Sequence, residues 1–182
     1  MRTVCFDTAS DYYHNSLLGY LNSPRQAREQ FRGKSFKFYG ATAFVHETDQ
    51  SSDFQSYKDL FDFLIEADEI VTFNGRTCDL IVLESLIGED VFEKIWTKRH
   101  HDLKGWRAQS LDLSVGSIPE LKRSYDSLYE SRYAERGVIS NEFIRHHLAG
   151  THRDSKCTLE LYRLYLANGD RSCTFCDSEM SE

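Results

Sequence analysis

A chain of 182 residues, 40% of them hydrophobic and 13% aromatic, is long enough to bury the core of one ordinary domain. A formal net charge of −7 argues against a protein that coats nucleic acid non-specifically, but not against an enzyme whose active site is built of carboxylates. No apolar run nears the roughly 20 residues of a bilayer span, so no membrane partner is expected. Five cysteines without framework spacing suit a reducing, cytoplasmic setting. The opening Met1-Arg2-Thr3 leads into a strand and not into a signal peptide.

In chain order, residues 3 to 8 read as a buried strand whose apolar run, Val4-Cys5-Phe6, ends on Asp7. Residues 35 to 46, rich in aromatic and small side chains, read as one or two strands with Gly40 near a bend. Ser51, Ser52 and Asp53 read as an N-cap region. The helix they open carries Phe54, Tyr57, Leu60, Phe61, Leu64 and Ile65 at helical spacing. Ile70 to Phe73 is a short buried strand closed by Asn74-Gly75. Helices are expected from about Cys78 to Leu86 and from Glu89 to Lys98, with a short strand at His101-Asp102-Leu103. Pro119 suits the first turn of a helix reaching about Ala134. Asn141 caps a helix through Leu148, and a separate final helix runs from Asp154 to Leu166. Strands first, then alternating elements, then helices point to a single α/β domain. Its expected extent is 1–168, with 169–182 as a polar, flexible tail.

Three acids stand at the edges of apolar elements: Asp7 at a strand end, Asp79 just inside a helix, and Asp154 opening the last helix. Singly, Asp79 and Asp154 are good N-caps. Strand tips and neighbouring helix starts gather at one end of an α/β sheet. Carboxylates meeting there repel one another unless a divalent cation lies between them. Mg²⁺ and similar hard cations take oxygen ligands, a few carboxylates plus water and phosphate. Phosphodiester hydrolysis with two metals uses that layout.

The stretches "VCFDTAS", "IVTFNGRTCDLIVLESL" and "RDSKCTLELYRLY" resemble, in order and spacing, the three motifs of the DEDD 3′–5′ exonucleases, a branch of the ribonuclease-H-like superfamily. Asn74 to Asp79 matches the second motif with Cys78 in place of Phe, and Asp154 with Thr158 and Leu161 matches the third. "HHDL" at 100–103 and "SLDL" at 110–113 are similar to stretches between these motifs. The resemblance covers about residues 3 to 166. It implies a ribonuclease-H-like α/β fold with a mixed central sheet flanked by helices. It also implies a 3′–5′ exonuclease with two Mg²⁺ or Mn²⁺ ions held by Asp7, Asp79 and Asp154. The implied partner is DNA or RNA with a single-stranded 3′ end.

The chain departs from the family pattern at two places. The motif I glutamate position holds Ala9, which faces the same side of the strand as Asp7. Either the nuclease is naturally degenerate, or a Glu was replaced by Ala; the second reading is preferred, and the codon at position 9 of the native gene decides it. In both cases activity is expected to be low or absent. The competing class is a nuclease-fold module that binds nucleic acid or a protein partner without cleaving. The general base is the other departure, because Ala149 and Gly150 occupy the usual His and Tyr positions. His147 serves if "LAG" forms a loop that shortens its distance, and His152 is the alternative. Asn74, Lys104, Trp106 and Arg107 are the expected substrate contacts, cations for phosphates and a flat ring for bases. Arg25, Arg28, Arg32, Lys34 and Lys37 form another basic group. Cys173 and Cys176 make a CxxC, half of a zinc site at most.

Overall fold

The computed structural model describes residues 1–11, 24–103 and 141–167, with side chains in the last span at 148 and from 150 onward. The expected tail over 169–182, the CxxC and the helix after Pro119 lie outside the described residues.

Among the described residues, five strands form one mixed sheet in the order β3-β2-β1-β4-β5. At its centre is β1 (Thr3–Ser10). It runs antiparallel to β2 (Phe38–Val45), with Asp7 opposite Thr42 and Ala9 opposite Gly40. On its other side it runs parallel to β4 (Glu69–Thr72), which is parallel to β5 (Arg99–Asp102). β3 (Ser51–Phe54) closes the far edge, antiparallel to β2. The segment around Gly40 is therefore one strand, with the register irregular where Ala9 and Ser10 face it.

Alternation along β1 sorts its side chains between two helix layers. Val4 and Phe6 join Ala41, Ala43 and Ile70 under three helices. These are α2 (Tyr57–Ile65), α3 (Asp79–Ile87) and α4 (Glu89–Trp96), contributing Leu60, Leu64, Leu80, Leu83, Phe92 and Ile95. Cys5 points the other way, with Phe44, Val71 and Leu103. There α5 (Asn141–Ala167) lays down Leu159, Leu161, Tyr162 and Tyr165. α1 (Pro24–Phe31) packs Ala27 and Phe31 on Ile81 and Val82, so α3 is buried on two sides. This is an α/β architecture with a mixed sheet flanked by helices. No helix among the described residues is long and apolar enough to cross a membrane.

Two expectations are corrected. Ser51 to Asp53 form β3 instead of a helix cap, because pairing with β2 engages their backbone and lets Phe54 pack on the core from a strand. The cap is Ser56, whose Oγ accepts the Asp59 N–H at 3.4 Å. The two last helices are one. Gly150 costs a helix interior about 1 kcal/mol, but the residues beside it are anchored to β2. Thr151 Oγ1 lies 3.1 Å from Thr42 Oγ1, and Ser155 Oγ donates to the Thr42 carbonyl at 2.7 Å.

Candidate functional site

The anchors on Thr42 also set the geometry of the acids. Asp7 sits opposite Thr42 in the sheet, on the face covered by α5. Asp154 lies between Thr151 and Ser155 in the chain and is a same-face neighbour of Thr151 at i,i+3. Docking α5 on β2 therefore carries Asp154 toward Asp7. Its side chain is 21% exposed, and Arg153 Nε is 3.5 Å away.

Asp79 arrives from the opposite layer, in the first turn of α3. The strand residue that faces that layer is Thr8. Its N–H donates to Asp79 Oδ1 at 3.0 Å, and its hydroxyl donates to the same oxygen. The turn before α3 is tightly held. Asn74 adopts a left-handed conformation (φ 66°), and a Cβ on Gly75 would fall 2.4 Å from Thr72 Oγ1, so only glycine fits there. Asp102, at the end of β5, accepts the N–H of Asn74 at 2.7 Å and that of Arg76 at 3.0 Å.

Burial pushes the Asp7 carboxyl well above the usual carboxylate range; the charges of Asp79 and Asp154 push it further, and the Thr8 N–H opposes them. Burial raises Asp79 to about 6, against the two hydrogen bonds from Thr8 and with a further upward push from Asp102. Asp79 from α3 and Asp154 from α5 thus both act on Asp7 in β1. Among the described residues, no group of three or more His, Cys, Asp or Glu side chains is gathered closely enough to hold a metal ion as they stand. The donor set is carboxylate oxygen, which fits a hard cation such as Mg²⁺ or Mn²⁺. Ala9 is fully buried and adds no oxygen. A Cβ on its partner Gly40 would meet Leu148 Cδ2 at 2.5 Å, so the first half of α5 lies over this pair.

The remaining candidates are placed as follows. The segment "LAG" is helical, so position 147 is seven residues and about 10 Å of helix from Asp154. The shortening loop is absent, and the His147 side chain lies outside the described residues. His152 is exposed, with its ring 5.1 Å from that of Phe44. Two residues apart on a helix, it and Asp154 point to nearly opposite sides. Asn74 is engaged locally, its Oδ1 accepting the Thr77 hydroxyl at 2.8 Å. Lys104, Trp106 and Arg107 lie outside the described residues. Of the other basic group, Arg28 is paired with Glu84 and Arg32 with Glu89. Sequence reasoning missed Thr8 and Thr42, whose only signal is their place beside or opposite Asp7. No protein-family model matches this chain, and no curated protein sequence matches it.

Proposed function

We propose that this chain is a ribonuclease-H-like nuclease of the DEDD 3′–5′ exonuclease type, weakened by alanine at position 9. The observation that carries the reading is Asp7, half-buried inside the central strand with three strand residues after it, not at the strand's end as expected, and within the influence of Asp79 and Asp154. Like charges brought together with one of them, Asp79, buried are costly, and such perturbed groups cluster at functional sites. The sheet, with its first strands antiparallel and the later ones parallel, is compatible with that fold. The ordered motifs supply the rest.

Asp7, Asp79 and Asp154 would hold the divalent ions, with Ala9 leaving one of the two sites short of a ligand. Bound ions of this kind activate a water and stabilise the leaving 3′ oxygen. The protein's own contribution is to fix the carboxylates: Thr8 steers Asp79, and Thr42 with Thr151 and Ser155 seats the helix that bears Asp154. The substrate is a single-stranded 3′ end of DNA or RNA. A non-cleaving binding module is the second reading. It is favoured by the cover of Leu148 above the pair Ala9 and Gly40, which leaves little room for a longer side chain.

An Ala9→Glu chain assayed on a 5′-labelled single strand with Mn²⁺ separates the two. Stepwise shortening from the 3′ end is expected of the nuclease. Tight binding without cleavage transfers the assignment to the module. Neither binding nor a Mn²⁺-dependent rise in melting temperature counts against both.

A further inference from the structure

Two residues of β5, Asp102 and His100, do more than end a strand. Asp102 is buried at 5% exposure, and each of its oxygens accepts a backbone N–H from the turn between β4 and α3. Beside it His100, equally buried, bridges the same turn. Its Nε2 lies 2.8 Å from Thr72 Oγ1, and its Nδ1 accepts Arg76 Nε at 3.1 Å. With Nδ1 accepting, Nε2 carries the proton and donates to the Thr72 hydroxyl. The turn is therefore stitched to β5 at both ends, and it launches α3 three residues later with Asp79 in its first turn. Such a turn, with one left-handed residue and a glycine pressed on Thr72, holds its shape only while its surroundings enforce it.

Building on the nuclease reading and its cation site, we infer that Asp102 is a positioning residue for that site. It binds no ion itself; its two oxygens fix the 74–76 turn and through it the direction in which Asp79 enters. Outer partners of metal ligands typically cost 10–100-fold in metal affinity when removed. An aspartate is suited to the task because it offers two acceptors to two N–H groups at once. Asparagine replaces one acceptor with a donor, and glutamate keeps the charge but lengthens the reach.

The test uses the chain with Ala9 in place and Mn²⁺ as the probe, its binding measured by calorimetry. Asp102→Asn and Asp102→Glu are both expected to weaken Mn²⁺ about 10–100-fold. Leu64→Ala, a core change on α2, is expected to lower the melting temperature and leave Mn²⁺ affinity unchanged. Loss in Asp102→Asn with full affinity in Asp102→Glu overturns the inference, because charge and not geometry then explains the effect. Parent-like affinity in both variants overturns it too, and leaves the nuclease reading standing. A parent chain that binds no Mn²⁺ overturns the cation site and this role with it. Should the variants not fold, amide hydrogen exchange in the unaltered chain decides. Slow exchange at the N–H groups of Asn74 and Arg76 supports the clamp, and exchange at free-loop rates overturns it.

Discussion

Thr8 shows how a small side chain governs a large electrostatic cost. Two of its donors converge on one oxygen of Asp79, and both favour the ionised form against burial. Thr8→Val keeps the shape and removes the hydroxyl, leaving only the N–H. Asp79 should then rise further above its value of about 6. At pH 8, where Asp79 is ionised, the change should cost about 1.5–3 kcal/mol, the range for hydrogen bonds to charged groups. Near pH 4, where Asp79 is neutral in the folded chain, most of that cost should vanish, and Thr8→Ser should behave as the parent at both values. Urea unfolding in chelator at the two pH values measures this; an equal loss at both would mean the hydroxyl serves packing alone. The acids themselves were legible in the sequence because each ends or opens an apolar run in a recognisable order. Thr8 was not, because a threonine inside a strand is ordinary until the helix behind it is in place.

Helices α1, α3 and α4 are held together by a charge that strand and helix periodicity does not reveal. Arg28 Nη2 and Nε reach Glu84 at 2.6 and 2.9 Å, and Trp96 Nε1 donates to the same carboxylate at 3.2 Å. The Arg28 guanidinium also lies 5.2 Å from the Trp96 ring. Removing one partner strands Glu84, whose side chain is only 11% exposed. Arg28→Ala should therefore cost about 2–3 kcal/mol in urea unfolding, below the 3–5 of a fully buried pair because Arg28 itself is partly solvated. Arg28→Met with Glu84→Leu should recover most of it, and a double variant worse than the single one would refute this account. The helices themselves were readable from apolar spacing, α2, α3 and α4 to within a few residues, as were β1 and β4. The reading failed at Ser51 to Asp53, where serine and aspartate suit a cap and an edge strand alike, and pairing with β2 decided. It failed again at Gly150, where contacts with Thr42, distant in the chain, outweigh a local helix breaker. Both failures are tertiary choices between local options of similar free energy.

Across the molecule, two sets of titratable groups removed wholly or partly from solvent pull stability in opposite directions as pH changes. His100 is held well below the usual imidazole value by burial, and His101 is lowered as well. Both take up a proton less readily in the folded chain than in the unfolded one, so the unfolded chain binds more protons below about pH 6.5, and stability falls as pH drops through that region. Asp7 and Asp79 act in reverse. Their folded values are raised, so the folded chain holds protons that the unfolded chain has released above about pH 4. Stability is lost as pH climbs from there, for Asp79 through about 6, and the penalty then persists at higher pH. A bound cation reverses that second term, since it favours the ionised carboxylates and binds better as they lose protons. The rise in melting temperature on adding Mn²⁺ should therefore be small at pH 5 and grow through pH 6 to 8. Asp7→Asn removes a charge that the metal-free fold tolerates poorly. In chelator at pH 8 it should raise the melting temperature, by about 2–4 °C for each kcal/mol of repulsion relieved in a chain of this size. At pH 4 the gain should disappear, and at every pH the response to Mn²⁺ should be lost. Scanning calorimetry on both chains, with and without Mn²⁺, reads all of these at once. A metal-free Asp7→Asn chain less stable than the parent at pH 8 would mean that Asp7 is a structural group in this fold and not one strained for a cation.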